Sequence, residues 1–182
     1  MADVTPRPSG STSAGPGGDA LAAAQAALAA EHAAVYGYGV VGGRVDKARA
    51  ADARQGYDAH RARRDAMRRT VRDLGGTPEP AAAAYALPFP VPDAQAAVRL
   101  AAELENRVTG VYADLVRAAT GALRRTAADA MREATVRAVR WRGGSVAFPG
   151  LAERADAADS AGSANTAGTP GASGPPGSAD GM

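Results

Sequence analysis

Two glutamates and a histidine interrupt helical runs where apolar side chains belong. In "LAAEHAAVYGYGVV" (28–41), Glu31 breaks a nearly seamless apolar stretch and His32 follows it directly. In "DAHRARRDAM" (58–67), His60 lies in register with Ala53, Gly56, Met67 and Val71. In "AAELENRVTGVY" (101–112), Glu105 lies in register with Ala101, Val108 and Tyr112. Two carboxylates and an imidazole from three helices suit iron, manganese or zinc. Without a metal, the same three groups form a buried polar network. Hydroxyls of Tyr36, Tyr38 or Tyr112, or the Arg63 guanidinium, would then satisfy the carboxylates. Some such partner is required, because an unpaired buried carboxylate costs several kcal/mol or takes up a proton. The residues favour the polar network over the metal.

A complete di-iron centre is a stricter demand. It takes one Glu from each of two helices and a Glu-x-x-His pair from each of the other two. The chain has two histidines, preceded at the third position by Ala29 and Tyr57, so no Glu-x-x-His exists. Helix 4 offers Asp129 and Glu133, the latter off the apolar stripe with Arg137 one turn on. Glu31, His60 and Glu105 are therefore the candidate metal ligands, for a single ion or for half a site completed by a second subunit. Iron or manganese is the alternative to having no cofactor. His32 is turned about 100° from Glu31 and belongs at a helix seam or the surface.

The elements that must position these residues are all helical. Helix 1 spans about 20–41, with Asp19 as N-cap and Gly42-Gly43 as its stop. Its inward stripe is Leu21, Ala24, Leu28, Glu31, Val35 and Tyr38. Helix 2 spans about 45–74, inward through Ala53, Gly56, His60, Arg63, Met67 and Val71, and stops at Gly75-Gly76. Residues 77–92, "TPEPAAAAYALPFPVP", contain five prolines and cannot be helical. Tyr85, Leu87 and Phe89 are available to pin this connection. Helix 3 starts from Asp93 as N-cap and runs to about Ala119. Helix 4 spans about 122–142, after Gly121, with Leu123, Ala127, Met131, Ala134, Ala138 and Trp141 inward. Val146, Phe148 and Leu151 then offer a final apolar flap. Short links between helices 1–2 and 3–4 make antiparallel neighbours. The 2–3 link reaches roughly 50 Å when extended, enough to run the length of a 30-residue helix, about 45 Å. The expected fold is all-α, a ferritin-like four-helix bundle with a long crossover between helices 2 and 3.

Composition sets the boundaries. Residues 1–18 and 152–182 are rich in Gly, Pro, Ser, Thr and Ala with little to bury, and they read as disordered tails, the second mildly acidic. Residues 19–151 form one domain. Residues 20–150 carry nineteen basic and thirteen acidic side chains, an excess of six positive charges. The basic run at 60–69 suggests a polyanion, but Arg54–Asp58, Arg61–Asp65, Asp65–Arg69 and Arg69–Asp73 all stand at i, i+4, as on a self-paired solvated face. No zinc finger or helix-turn-helix accompanies it, which argues against nucleic acid. Cysteine is absent, excluding disulfides and thiolate chemistry. No run of 18 apolar residues is uninterrupted, which excludes a membrane-spanning helix. With no signal peptide visible, the cytoplasm is the expected compartment.

The segments "AEHAAVYGYGVVG", "HRARRD", "YALPFPV" and "WRGGSVAFPGL" resemble a ferritin-like domain family of unknown function found in high-GC bacteria. The resemblance covers about 20–151 and implies the four-helix bundle and no established activity. The expected function is a non-enzymatic binding or scaffold module with a degenerate metal site, homodimeric through an Ala-rich face. The alternatives are a metal-binding oxidoreductase using Glu31, His60 and Glu105, and a weak polyanion binder through helix 2.

Overall fold

A computed structural model of the chain describes residues 16–143. They belong to the first of two units, Met1–Gly150; the second, Leu151–Met182, lies outside the described residues, as does the apolar flap expected at 145–151. Four helices account for most of the described chain: α1 (Pro16–Gly42), α2 (Ala50–Asp73), α3 (Ala94–Ala118) and α4 (Gly121–Arg142), with a 3-10 turn at Lys47–Arg49. No strand occurs among the described residues.

The ends follow from local chemistry, with two departures from expectation. α1 begins at Pro16, so Asp19 lies in its first turn instead of capping it. Proline suits a first helical position, because its missing N–H is unsatisfied there anyway. α2 begins at Ala50, five residues later than expected, because Lys47–Arg49 wind as 3-10 first. Its other end behaves as the sequence implies. Gly75 adopts φ +82°, its N–H bonds to Arg72 O at 2.9 Å, and Gly76 N–H bonds to Val71 O at 2.9 Å. That pair of reversed bonds is a Schellman stop, which needs the left-handed conformation glycine takes without strain. Asp93 caps α3 through a 2.7 Å bond from Ala96 N–H to its Oδ1. Asp93→Ala is expected to lower unfolding free energy by about 1 kcal/mol, read by urea titration.

Residue pairs fix the helix directions. Gly76 approaches Leu21 while Gly56 approaches Tyr38, so α1 and α2 are antiparallel. Tyr38 meets Glu105 while Glu31 meets Tyr112, so α1 and α3 are antiparallel. Arg137 meets Glu105 and Thr135 meets Thr109, so α4 runs back along α3. α2 and α3 are consequently parallel, and the connection between them has to travel the length of the helices. It does so along α1. Gln25 grips its start, donating to Thr77 O at 2.7 Å and accepting from Glu79 N–H at 3.3 Å. Tyr85 stacks on Tyr36, centroids 5.6 Å apart. Leu87, Phe89 and Val91 pack on the core, and Arg44 reaches Pro92 O at 3.3 Å.

Burial divides the interior into two apolar clusters. One gathers Leu28, Met67, Val71, Val108, Leu115 and many alanines, with Tyr112 among them. The other gathers Val41, Ala53, Leu100, Leu104 and Trp141, with Tyr38 among them. Glu31, His60 and Glu105 lie between, bonded to Tyr112 on one side and Tyr38 on the other. Small residues bring the backbones close: a Cβ on Gly56 would stand 2.6 Å from Tyr38 Cζ. Gly56→Ala is therefore expected to push Tyr38 off its partners and cost about 1–3 kcal/mol, measured by chemical denaturation with near-ultraviolet circular dichroism following Tyr38 and Trp141.

Candidate functional site: a buried carboxylate–imidazole network

Glu31, His60 and Glu105 meet at the centre, each fully buried. Their positions follow from helical register: each replaces one apolar residue in a stripe that faces the interior. His60 spans the other two. Its Nδ1 is 2.7 Å from Glu31 Oε2 and its Nε2 is 3.1 Å from Glu105 Oε1. Tyr112 donates its hydroxyl to Glu31 Oε1 at 2.8 Å. Tyr38 donates to Glu105 Oε1 at 2.6 Å and accepts from Trp141 Nε1 at 2.9 Å. Arg137 of α4 donates from Nε to the same Glu105 oxygen at 2.7 Å. Each helix therefore contributes at least one member.

Carboxylate oxygens face both ring nitrogens; with both carboxylates ionised, both nitrogens carry protons and His60 is an imidazolium. Burial by itself would disfavour that charge. The hydrogen bonds and charges of Glu105 and Glu31 outweigh it and hold His60 above the ordinary histidine value of 6.5. Burial likewise opposes ionisation of Glu105, but the His60 hydrogen bond and the nearby His60 and Arg137 charges win and hold it below 4.5. Burial, followed by the neighbouring carboxylates, raises both tyrosines well above the phenol range, so Tyr38 and Tyr112 remain donors. Arg137, also pressed by burial, is held charged by Glu105. Two carboxylates, one imidazolium and one guanidinium sum to zero. That balance is what lets so many charges persist out of water.

As the side chains stand, the facing oxygens of Glu31 and Glu105 are taken by His60, Tyr112, Tyr38 and Arg137. An imidazole ligand must offer a lone pair, which the imidazolium form of His60 lacks. Among the described residues, no group of three or more His, Cys, Asp or Glu is placed to hold a metal ion. Arg137 already supplies the second positive charge beside Glu105.

The three residues singled out in the sequence thus converge. His32 stays apart, 9 % exposed at the seam of α1 with α2. Burial lowers its pKa, and the Arg64 and Arg68 charges add to this against the raising effect of the Glu79 backbone. Tyr38 and Tyr112 join the network, whereas Tyr36 turns outward to Tyr85. Arg63 was expected to face the carboxylates from the inward stripe of helix 2; it turns instead to Glu133, which it pairs with, and to Ala130 O. Sequence reasoning missed Arg137. Its signal was position: 137 is three beyond Ala134 and four before Trp141, both inward. The i, i+4 pairs expected along the outer face of helix 2 do not form among the described residues; Asp65 pairs with Arg64 at 2.8 Å instead. On α3, Glu103 and Arg107 do pair, at 2.7 Å.

Four helices around a charge-balanced internal layer define the class as an all-helical protein with a buried carboxylate–imidazole centre. Residues 23–153 match the family described as a domain of unknown function (DUF4439), and the chain belongs to that family. It is similar to the crystal structure of a conserved hypothetical protein, rv2844, from Mycobacterium tuberculosis, at 36% identity and a TM-score of 0.67, over 71% of this chain and 98% of that one. No curated protein matches the chain. No described helix is long and apolar enough to cross a membrane.

Proposed function

We propose that this is a ferritin-like four-helix-bundle protein whose metal centre is degenerate, and that it works as a non-enzymatic binding or scaffold module in the cytoplasm, as a homodimer. The observation that carries this reading is His60 held through both ring nitrogens between Glu31 and Glu105, with Arg137 beside them. In this reading His60 and Arg137 supply the positive charge that metal cations supply in a ferritin-like centre. Running order and helix directions support the ferritin-like assignment: an antiparallel pair, a long crossover along α1, then a second antiparallel pair. Elemental analysis of protein purified with iron, manganese and zinc present tests the reading. The expected result is substoichiometric metal and undiminished stability after chelation.

A second reading, a metal-binding oxidoreductase on Glu31, His60 and Glu105, is favoured by one observation. Glu105 Oε2 is buried and has no hydrogen-bond partner. For that reading to hold, His60 must release a ring proton to a metal and Arg137 must withdraw. Stoichiometric iron or manganese, lost in Glu105→Ala, would establish it in place of the first.

A further inference from the structure

α2 and α4 meet chiefly through long side chains. Arg63 of α2 bridges to Glu133 and to Ala130 O of α4, and Arg49 reaches Arg140 O at 3.3 Å. Between those struts the helices leave a groove with a 320 Å³ depression lined by Gln55, Ala59, Glu133, Val136, Arg137 and Arg140, with Arg132 at its edge. That volume is on the scale of a site for a small organic molecule.

Its charges are unevenly committed. Arg132 pairs with Asp129 at 3.2 Å, and Glu133, the carboxylate lining the groove, pairs with Arg63. Arg140 has no ion-pair partner among the described residues. Arg137 makes one close hydrogen bond among these contacts. Its Nε is fixed on Glu105, its Nη1 stands in ion-pair range of Glu133 Oε2 at 3.8 Å, and its Nη2, buried from solvent, has no partner. The internal network thus holds the root of this guanidinium, and its Nη1 edge, which Glu133 approaches without hydrogen-bonding it, keeps donor capacity. Beside the arginines lies Val136, 45 % exposed, one of two large apolar side chains exposed among the described residues. The other, Tyr36, stacks on the crossover. An Arg140 without an ion-pair partner, the Arg137 guanidinium lining the same depression, an amide at Gln55 and an apolar wall at Val136 and Ala59 are complementary to one kind of molecule: an anion with a short hydrocarbon part.

The geometry points to the α2–α4 groove as a binding site for a small organic carboxylate, its charge on Arg137 and Arg140 and its chain against Val136 and Ala59. Guanidinium–carboxylate pairing supplies charge-assisted, directional hydrogen bonds, and pre-fixing Arg137 through Glu105 removes part of the ordering cost of binding. This inference goes beyond the degenerate-centre reading and does not depend on metal content, so elemental analysis and the following experiment fail separately.

The test is an amide-resolved NMR titration of the full chain with sodium hexanoate, hexan-1-ol and inorganic phosphate. Hexanoate is expected to shift the Ala59, Val136 and Arg140 amides saturably. Hexan-1-ol is expected to leave them unmoved and phosphate to bind more weakly. Arg140→Ala, at an exposed position that leaves the fold intact, is expected to weaken hexanoate about tenfold, the scale of one hydrogen bond to a charged group. Val136→Asp is expected to abolish the response. Equal affinity for phosphate would overturn the organic class of ligand. An unchanged response in Arg140→Ala, or shifts spread over the outer face of α2 with none at Val136, would overturn the site.

Discussion

His60→Leu is expected to lose about 3–5 kcal/mol of unfolding free energy, out of a total of about 5–15 kcal/mol for an ordinary domain. The substitution removes the shared cation of Glu31 and Glu105 and leaves both carboxylates buried, with Tyr112, Tyr38 and Arg137 as their remaining partners. Urea unfolding at neutral pH reads the loss directly. Replacing the whole set is the informative companion. A variant carrying Glu31→Leu, His60→Leu, Glu105→Leu and Arg137→Met removes every charge at once. It is expected to recover most of the stability, because a balanced buried network contributes little net free energy against an apolar core of similar volume. A protein that tolerates His60→Leu without loss would show that the two carboxylates do not depend on the imidazolium.

The second large effect is on pH. His60 has its pKa raised on folding, so its contribution is fully present below the unfolded value of 6.5 and disappears as pH rises through the folded value above it. Glu105 has its pKa lowered, so its contribution is present above 4.5 and disappears as pH falls through the folded value below it. The network therefore stabilises most between 4.5 and 6.5, and its share declines on both sides. His32 titrates on the acid side of 6.5, inside that window. Its lowered pKa gives a contribution that is present above 6.5 and is lost as pH falls below it. Urea midpoints from pH 4 to 9 in a His32→Gln background isolate the network, and the expected curve falls steadily on the alkaline side of the histidine value. A midpoint rising through that range would contradict the assignment of charge to His60.

Much of this centre was legible from residue types alone, because a Glu or His on an inward stripe has to find a partner. Glu31, His60 and Glu105 were visible for that reason, and their convergence needed only the four helices to pack. Arg137 was not. An arginine one turn after Glu133 reads as half of a solvent pair, and only the directions of α3 and α4 bring its Nε to Glu105. The register of Ala101, Glu105, Val108 and Tyr112 marks one stripe of helix 3, yet the helix also buries Ala96, Ala97, Leu100 and Leu104. It packs against both α1 and α4, and a helix with two neighbours needs a broad apolar face. The start of α1 was hidden by composition, since Pro16-Gly17-Gly18 carries weak helix propensity and is nevertheless wound into the first turn. The crossover was recognised by its prolines, while the grip of Gln25 on Thr77 and Glu79 had no signature beyond a single amide on an Ala-rich helix.

The most direct measurement of the central assignment is nitrogen-15 NMR of the His60 ring in the intact protein, followed from pH 5 to 8 and then on addition of manganese, iron and zinc in turn. The expected result is two protonated ring nitrogens that persist above the ordinary histidine value and ignore each metal. A single unprotonated nitrogen at neutral pH, or a ring signal displaced or broadened by one equivalent of metal, would contradict it.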